Sequence, residues 1–92
     1  MEIKEFQNLI RKMYYDKDAG RGLRETFTWF IEEIGELSRA MRTNKNIEAE
    51  FADVCAWLFS IANIKGIDME QAVKRYANGC PKCGKLPCIC EV

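Results

Sequence analysis

Apolar residues recur every three or four positions along most of this chain, and no stretch alternates between apolar and polar residues as a half-buried strand would. A charged segment with two glycines, residues 16–22, is expected to form a loop after the first helix. The short turn at 44–46 makes the second and third helices an antiparallel pair at the centre of an all-α fold. The spacing predicts four helices, over roughly residues 3–15, 23–42, 47–64 and 69–77.

The chain is too short to cover all of its own apolar surface. It has 92 residues with 48% hydrophobic content, and small domains bury a smaller share of their surface than large ones. Residues 54–64 are apolar on nearly every side, so this part of the third helix must be covered all round. We therefore expect a homo-oligomer, a dimer or a tetramer, with this helix in the subunit interface. The second helix carries a stripe that is predicted to be buried: Phe27, Phe30, Ile31, Ile34, Leu37 and Met41.

Acidic residues interrupt the apolar stretches at helical spacing. Glu33 and Glu36 share one face of the second helix beside Glu32, and Glu50 and Asp53 share one face of the third. Carboxylates so close together repel, and burying them without compensation is unfavourable. Mg²⁺ would relieve this repulsion because it prefers carboxylate oxygens and water, and its coordination is commonly completed by substrate phosphates. The chain has no histidine, which removes the usual zinc-hydrolase sites and Ser-His-Asp catalysis.

A second interpretation treats the same glutamates as a solvated helix face. Glutamate is a good helix former, and Arg39 could pair with Glu36 on such a face. This interpretation leads to a non-enzymatic protein, a small zinc-stapled helical adaptor with an acidic surface that binds a partner.

Cysteines are concentrated at the end of the chain, in the string CPKCGKLPCIC. The four are Cys80, Cys83, Cys88 and Cys90. The first pair has the spacing of a zinc knuckle, in which one tight turn supplies two thiolates. The second pair is closer together, and the loop between the pairs is short, so a site within one chain would be cramped. A structural zinc ion is the prediction, and iron, a redox disulfide or a site shared between chains are the alternatives. The fifth cysteine, Cys55, is predicted to be a small buried residue.

The charges are balanced. Lysine plus arginine and aspartate plus glutamate both number 14, so net charge gives no argument for nucleic-acid or membrane-surface binding. No run of about 18 apolar residues and no secretory segment is present, so we expect a cytoplasmic protein. We divide the chain into a helical domain at 1–78 and a cysteine-rich tail at 79–92.

The acidic pattern resembles that of the MazG-like nucleoside triphosphate pyrophosphohydrolases. That family has E-E-x-x-E on one helix and E-x-x-D on the next, and this chain has EEIGEL from Glu32 and EFADV from Glu50. The Arg21-Gly22 pair, Trp29 and the turn at 66–68 are also similar to the family. The resemblance extends over most of residues 1–75, and the cysteine tail lies outside the core pattern of the family.

The resemblance implies an all-α protein that assembles into helical bundles. It implies hydrolysis of a nucleoside triphosphate, deoxyribonucleotides and non-standard nucleotides included, between the α and β phosphates to a monophosphate and pyrophosphate. Glu32 then corresponds to a glutamate that holds a second metal or orients the attacking water. The implied Mg²⁺ ligands, with Mn²⁺ as a substitute ion, are Glu33, Glu36, Glu50 and Asp53. The candidate contacts to substrate phosphates are Arg21, Arg24 and Lys74, and the candidate for stacking on the base is Trp29.

Overall fold

The computed structural model describes residues 1–91, which form four α-helices and no strand. A short 3-10 turn, Lys74–Tyr76, continues the last helix. The helices are α1 at Ile3–Arg21, α2 at Leu23–Thr43, α3 at Ile47–Lys65 and α4 at Met69–Val73. The predicted all-α class with four helices is therefore confirmed.

The expected loop at 16–22 is wrong, because α1 continues as far as Arg21. In the helix, Asp18 and Arg21 lie one turn apart on the same face. Their side chains form an ion pair at 2.9 Å. Gly20 inside the helix is tolerated, at roughly 1 kcal/mol relative to alanine. The break comes at Gly22, whose φ of +97° is open to glycine but strained for other residues.

The other helix ends follow the sequence signals. Asn44 and Asn46 adopt φ of 57° and 56° in the turn between α2 and α3, a conformation that asparagine tolerates. Gly66 ends α3 at φ 70° with its N–H donated to the carbonyl of Ala62. Asp68 caps α4, where its side chain accepts a hydrogen bond from the N–H of Gln71 at 3.1 Å.

α3 lies at the centre of the molecule and packs against both α2 and α1, with the contact to α2 the more extensive. Phe6 of α1 meets Phe59 of α3 edge to face, with ring centroids 5.0 Å apart. Gln7 donates to Asn63 at 2.9 Å, and both side chains are buried. These contacts hold α1 against α3 in a fixed register, and that register decides which residues face each other across the gap between the two helices.

The predicted burial of the α2 stripe is wrong for a single chain. Phe30 and Leu37 are partly buried, whereas the other four side chains of the stripe are 41–53% exposed. On α3, Cys55 is also exposed, against the expectation of a buried thiol. Seven exposed apolar residues recur at helical spacing along the two helices, and we call them the free apolar face; they are Phe27, Ile31, Ile34 and Met41 of α2 and Phe51, Cys55 and Leu58 of α3. The physical reason is that burial requires a covering element: α1 packs on one side of the α2–α3 pair, and residues 1–91 place no further helix over the free apolar face.

Of the helices described here, none combines the length and the apolar character that crossing a membrane would require.

Candidate functional site

Three of the five predicted acidic residues meet where α2 packs on α3. Glu33 from α2 and Glu50 and Asp53 from α3 each offer a carboxylate oxygen, and these oxygens all lie within 4.8 Å of one another. Glu50 and Asp53 are one turn apart on α3, and the antiparallel pairing brings Glu33 opposite to them. We call these three residues the carboxylate cluster.

The electrostatics of the carboxylate cluster favour a cation. Burial raises the pKa of Glu33 above its ordinary value, and the neighbouring charges of Asp53, Glu50, Glu36 and Glu32 raise it further. Glu50 Oε2 is buried and has no hydrogen-bond partner among the described residues. A buried carboxylate oxygen without a donor is unfavourable unless a cation compensates it. The residues therefore fit a hard divalent ion, which would take oxygen ligands from both helices.

Glu36 and Glu32 lie outside the carboxylate cluster. The Glu36 side chain is 50% exposed, and Arg39 Nη1 lies 3.9 Å from Glu36 Oε2. Such an exposed pair contributes little to stability. The charges of both glutamates nevertheless reach Glu33 and contribute to its raised pKa. The predicted roles of Glu36 as a metal ligand and of Glu32 in orienting water stay predictions.

A cavity of about 280 Å³ lies between α1 and α3, directly beside the carboxylate cluster. Asp53 belongs to both, so an ion held by the cluster would lie at the edge of the cavity. The residues of α1 and α3 that line the cavity include Tyr14, Lys17, Asp18, Arg21, Asp53 and Trp57. The cavity thus combines two cations, two aromatic rings and two carboxylates, one of which, Asp53, is a member of the cluster.

Arg21 is held in place at the wall of this cavity. Its Nη1 donates to Asp18 Oδ1 at 2.9 Å and to Thr26 Oγ1 at 3.3 Å. Its guanidinium carbon lies 5.4 Å from the centre of the Trp57 ring, which is within cation–π range. Thr26 is fully buried and donates to the carbonyl oxygen of Asp18 at 3.3 Å. A guanidinium fixed by these contacts beside an acidic metal-type site is well suited to bind a phosphate group.

A family model of the MazG nucleotide pyrophosphohydrolase domain matches residues 21–82. The chain belongs to this family. The match takes in more than half of the chain, including Arg21 and the whole α2–α3 pair with its carboxylate cluster. The chain therefore carries a nucleotide pyrophosphohydrolase domain, as the acidic pattern led us to expect. No curated protein matches the chain at a significant level.

The predicted substrate contacts of the MazG domain lie in different surroundings. Arg21 lines the cavity, but Arg24 and Trp29 are exposed on α2, and Lys74 is exposed after α4. None of these last three is among the residues that line the cavity, and their roles stay predictions.

Sequence reasoning about the MazG domain missed several cavity residues. Tyr14, Lys17 and Asp18 share the helical spacing of Arg21, at 14, 17, 18 and 21, and that spacing was the available signal. For Lys17 and Asp18 the signal is lost because the sequence predicts a loop at residues 16–22. Trp57 was counted with the apolar run of α3, and sequence alone cannot tell which side of such a run faces a cavity.

In the tail, the four cysteines converge on one point. The four Sγ atoms all lie within 4.8 Å of one another; they belong to Cys80, Cys83, Cys88 and Cys90. The backbone amides of Ile89 and Lys85 lower the pKa of the Cys83 thiol to about 6. This sulfur cluster is formed by one chain, the arrangement that the sequence suggested would be cramped.

Proposed function

We propose that residues 1–78 form an enzyme domain that hydrolyses a nucleoside triphosphate between its α and β phosphates, in a reaction that depends on Mg²⁺. The products would be a nucleoside monophosphate and pyrophosphate. The observation that carries the proposal is the carboxylate cluster, with its unpartnered buried Glu50 oxygen, at the edge of a cavity that holds Arg21. Membership of the MazG family favours this enzyme over the non-enzymatic adaptor.

In this proposal Glu33, Glu50 and Asp53 hold the ion, and Glu36 completes the ligand set by turning from solvent toward Glu33. Mn²⁺ would serve in place of Mg²⁺, because both are hard ions that accept carboxylate oxygens. The ion would supply charge neutralisation for the triphosphate and activation of the attacking water. Glu32 orients that water.

The cations of α1 bind the substrate in this proposal. A triphosphate carries about four negative charges, so carboxylates alone would repel it and the cavity must offer cations. Arg21 offers the N–H donors that Asp18 and Thr26 do not use, in a fixed plane, while Lys17 is a mobile point charge. Asp18 acts through Arg21, because it holds the guanidinium in position. Trp57 and Tyr14 are the rings available to the nucleoside within the cavity.

The cavity of one chain is slightly smaller than typical ligand pockets of about 300–1,000 Å³. We propose that a second copy of the chain, packed on the free apolar face as a dimer or within a tetramer, supplies the remaining wall. An enzyme with this substrate would act in the cytoplasm, where nucleoside triphosphates are made and used.

Replacing Lys17 by methionine is expected to raise KM for the triphosphate about tenfold, which corresponds to about 1.4 kcal/mol of lost phosphate binding. The melting temperature should not change, because Lys17 is exposed and has no ion pair within the described residues. Steady-state kinetics on the triphosphate with the best kcat/KM would measure the effect. Lys12→Met is the matched control, since Lys12 is exposed on the same helix but does not line the cavity. Equal KM values for the two variants would remove Lys17 from the substrate site.

Mg²⁺ or Mn²⁺ is expected to raise the melting temperature by roughly 10–20 °C at a free concentration about 100 times Kd, because ligand linkage then supplies about 2.7 kcal/mol. Sodium chloride at matched ionic strength is the control, since salt alone screens the repulsion. A thermal scan that shows the same shift with sodium and with either divalent ion would contradict a preformed metal site.

Glu33→Gln is expected to raise the melting temperature of the metal-free protein by about 3–5 °C at neutral pH and to abolish most of the shift caused by Mg²⁺. The folded-state pKa of Glu33 lies above its ordinary value of 4.5, so its charged form destabilises the fold. The stability that protonated Glu33 contributes is fully present below pH 4.5 and is lost as the pH rises through its folded-state pKa. The advantage of the variant should therefore disappear in acid, which melting curves across pH would reveal. A variant less stable than the parent at neutral pH would show that Glu33 is not under repulsion.

A further inference from the structure

The sulfur cluster of the tail has the dimensions of a tetrahedral metal site. Cys80 Sγ lies 3.8 Å from Cys90 Sγ, and Cys83 Sγ lies 3.9 Å from Cys88 Sγ. Four thiolates at about 2.3 Å from a central zinc ion stand about 3.8 Å apart along each edge of the tetrahedron. The two sulfur pairs thus already have the separation of opposite edges.

The backbone of the tail is shaped to bring the first two cysteines together. The N–H of Gly84 donates to the carbonyl of Cys80 at 2.7 Å, and the N–H of Cys80 donates to the carbonyl of Lys85 at 3.0 Å. Gly79 and Gly84 adopt φ of 109° and 71°, and a Cβ at Gly79 would lie only 3.0 Å from the oxygen of Lys85. Only glycine fits this closed turn without strain. The turn is the knuckle that the Cys80-x-x-Cys83 spacing predicts.

The second pair of cysteines closes the cluster from the other side of the loop. The N–H of Cys90 donates to Cys88 Sγ at 3.3 Å, the kind of contact that orients a metal-bound thiolate and tunes its charge. Four residues between the knuckle and Cys88 are therefore enough for a site within one chain, in contrast to what their number suggested. All four donors are soft sulfurs, which favour zinc or iron over Mg²⁺.

The tail has no apolar core that could fix this shape. Residues 77–91 contain no helix or strand, and Leu86 and Ile89, the large aliphatic side chains of the segment, are 90% and 69% exposed. A short segment without a core needs a staple to stay folded. A metal ion bound by the four sulfurs would hold the tail in this shape, which its exposed apolar residues cannot do.

We propose that Cys80, Cys83, Cys88 and Cys90 of a single chain bind one zinc ion in a closed four-thiolate site that folds the tail. The site has no open position for water or substrate, so the ion is structural and takes no part in the hydrolysis. The zinc site shares no residue with the carboxylate cluster, so the proposal does not depend on the proposed enzyme activity.

Metal analysis of the protein purified under reducing conditions, after gel filtration, tests the proposal. We expect about one zinc ion per chain, since a site within one chain binds one ion. Cys83→Ser and Cys88→Ser should each retain less than roughly a tenth of it. Cys55→Ser and Asp53→Asn are the controls, and both should keep the full amount, because Cys55 lies outside the tail and Asp53 belongs to the other candidate site. Half an ion per chain would contradict one complete site in each chain, and iron in place of zinc would refute the identity of the metal.

Titration of the chelator-treated parent protein with Co²⁺ keeps the test independent of whether the serine variants fold. The absorption bands of tetrahedral thiolate-bound Co²⁺ should rise until about one equivalent per chain is added and then stay constant. Zinc should then displace the Co²⁺ and remove the bands. Absence of these bands in protein whose thiols are reduced, or loss of the thiols to disulfides in freshly purified protein, would overturn the proposal.

Discussion

Asp53→Asn is expected to lower the rate of monophosphate and pyrophosphate formation by about a thousandfold or more, which corresponds to roughly 4 kcal/mol of lost transition-state stabilisation. Asp53 is the residue that belongs both to the carboxylate cluster and to the wall of the cavity, so in the proposed enzyme its charge would hold the ion where the substrate phosphates bind. Asparagine keeps the shape of the side chain and removes the charge. Product analysis with a panel of ribo- and deoxyribonucleoside triphosphates, with and without Mg²⁺, would measure the effect and rank the substrates.

Glu48→Gln is the control for this experiment. Glu48 lies in the first turn of the same helix, is exposed, and is not part of the carboxylate cluster. It should retain the parent rate within about twofold, because a surface substitution away from the site changes little. If Asp53→Asn matched the parent, or if the parent left every triphosphate intact, the enzyme proposal would fail and a partner of the acidic surface would be sought instead.

The fold could be predicted from sequence because each helix carries its own evidence. The 3.6-residue period of apolar side chains is a local property, and the signals at helix ends are equally local. Gly66 and Asp68 were assigned as the end of α3 and the start of α4 on residue type alone, and the structure places them there. The bounds of α2 and α3 differ from the prediction by a single residue at their ends.

The sequence prediction failed where the outcome depends on contacts between distant residues. Residues 16–21 have the composition of a loop, but in the helix Asp18 and Arg21 share one face, where Arg21 also contacts the distant residues Thr26 and Trp57. The stripe of α2 was predicted to be buried because it is apolar, yet burial depends on whether another element covers it. Among residues 1–91 no element covers Phe27 or Ile31 completely, and both stay 49% exposed.

The sequence predicts which types of residue form the candidate site, but it does not predict how all of them are arranged in space. Two acidic pairs at helical spacing can be read directly from the sequence. Which members converge depends on how α2 packs against α3, and that packing brings Glu33 to Glu50 and Asp53 while Glu36 points toward solvent and Arg39. The cavity depends on a third helix, α1, and no motif of the acidic helices indicates it.

Ile31→Lys is expected to convert the protein from an oligomer to a monomer. Ile31 is 49% exposed within the free apolar face, and exposed apolar side chains grouped along one face of a helix pair indicate an interface. If a second copy covers this face, a lysine there would bury an unpaired charge, which is strongly unfavourable. Light scattering coupled to gel filtration, over a range of protein concentrations, would measure the molar mass of parent and variant.

Leu9→Lys is the matched control, since Leu9 is 41% exposed but lies on α1, outside the free apolar face. It should leave the parent mass unchanged. A parent protein that is monomeric at high concentration would refute the assembly.

The two principal variants also separate two requirements of the proposed enzyme. Asp53→Asn should remain assembled and be inactive, because it removes a charge from an intact site. Ile31→Lys should lose activity together with assembly even though its carboxylate cluster is complete, because the cavity of one chain lacks the wall that we assign to the second.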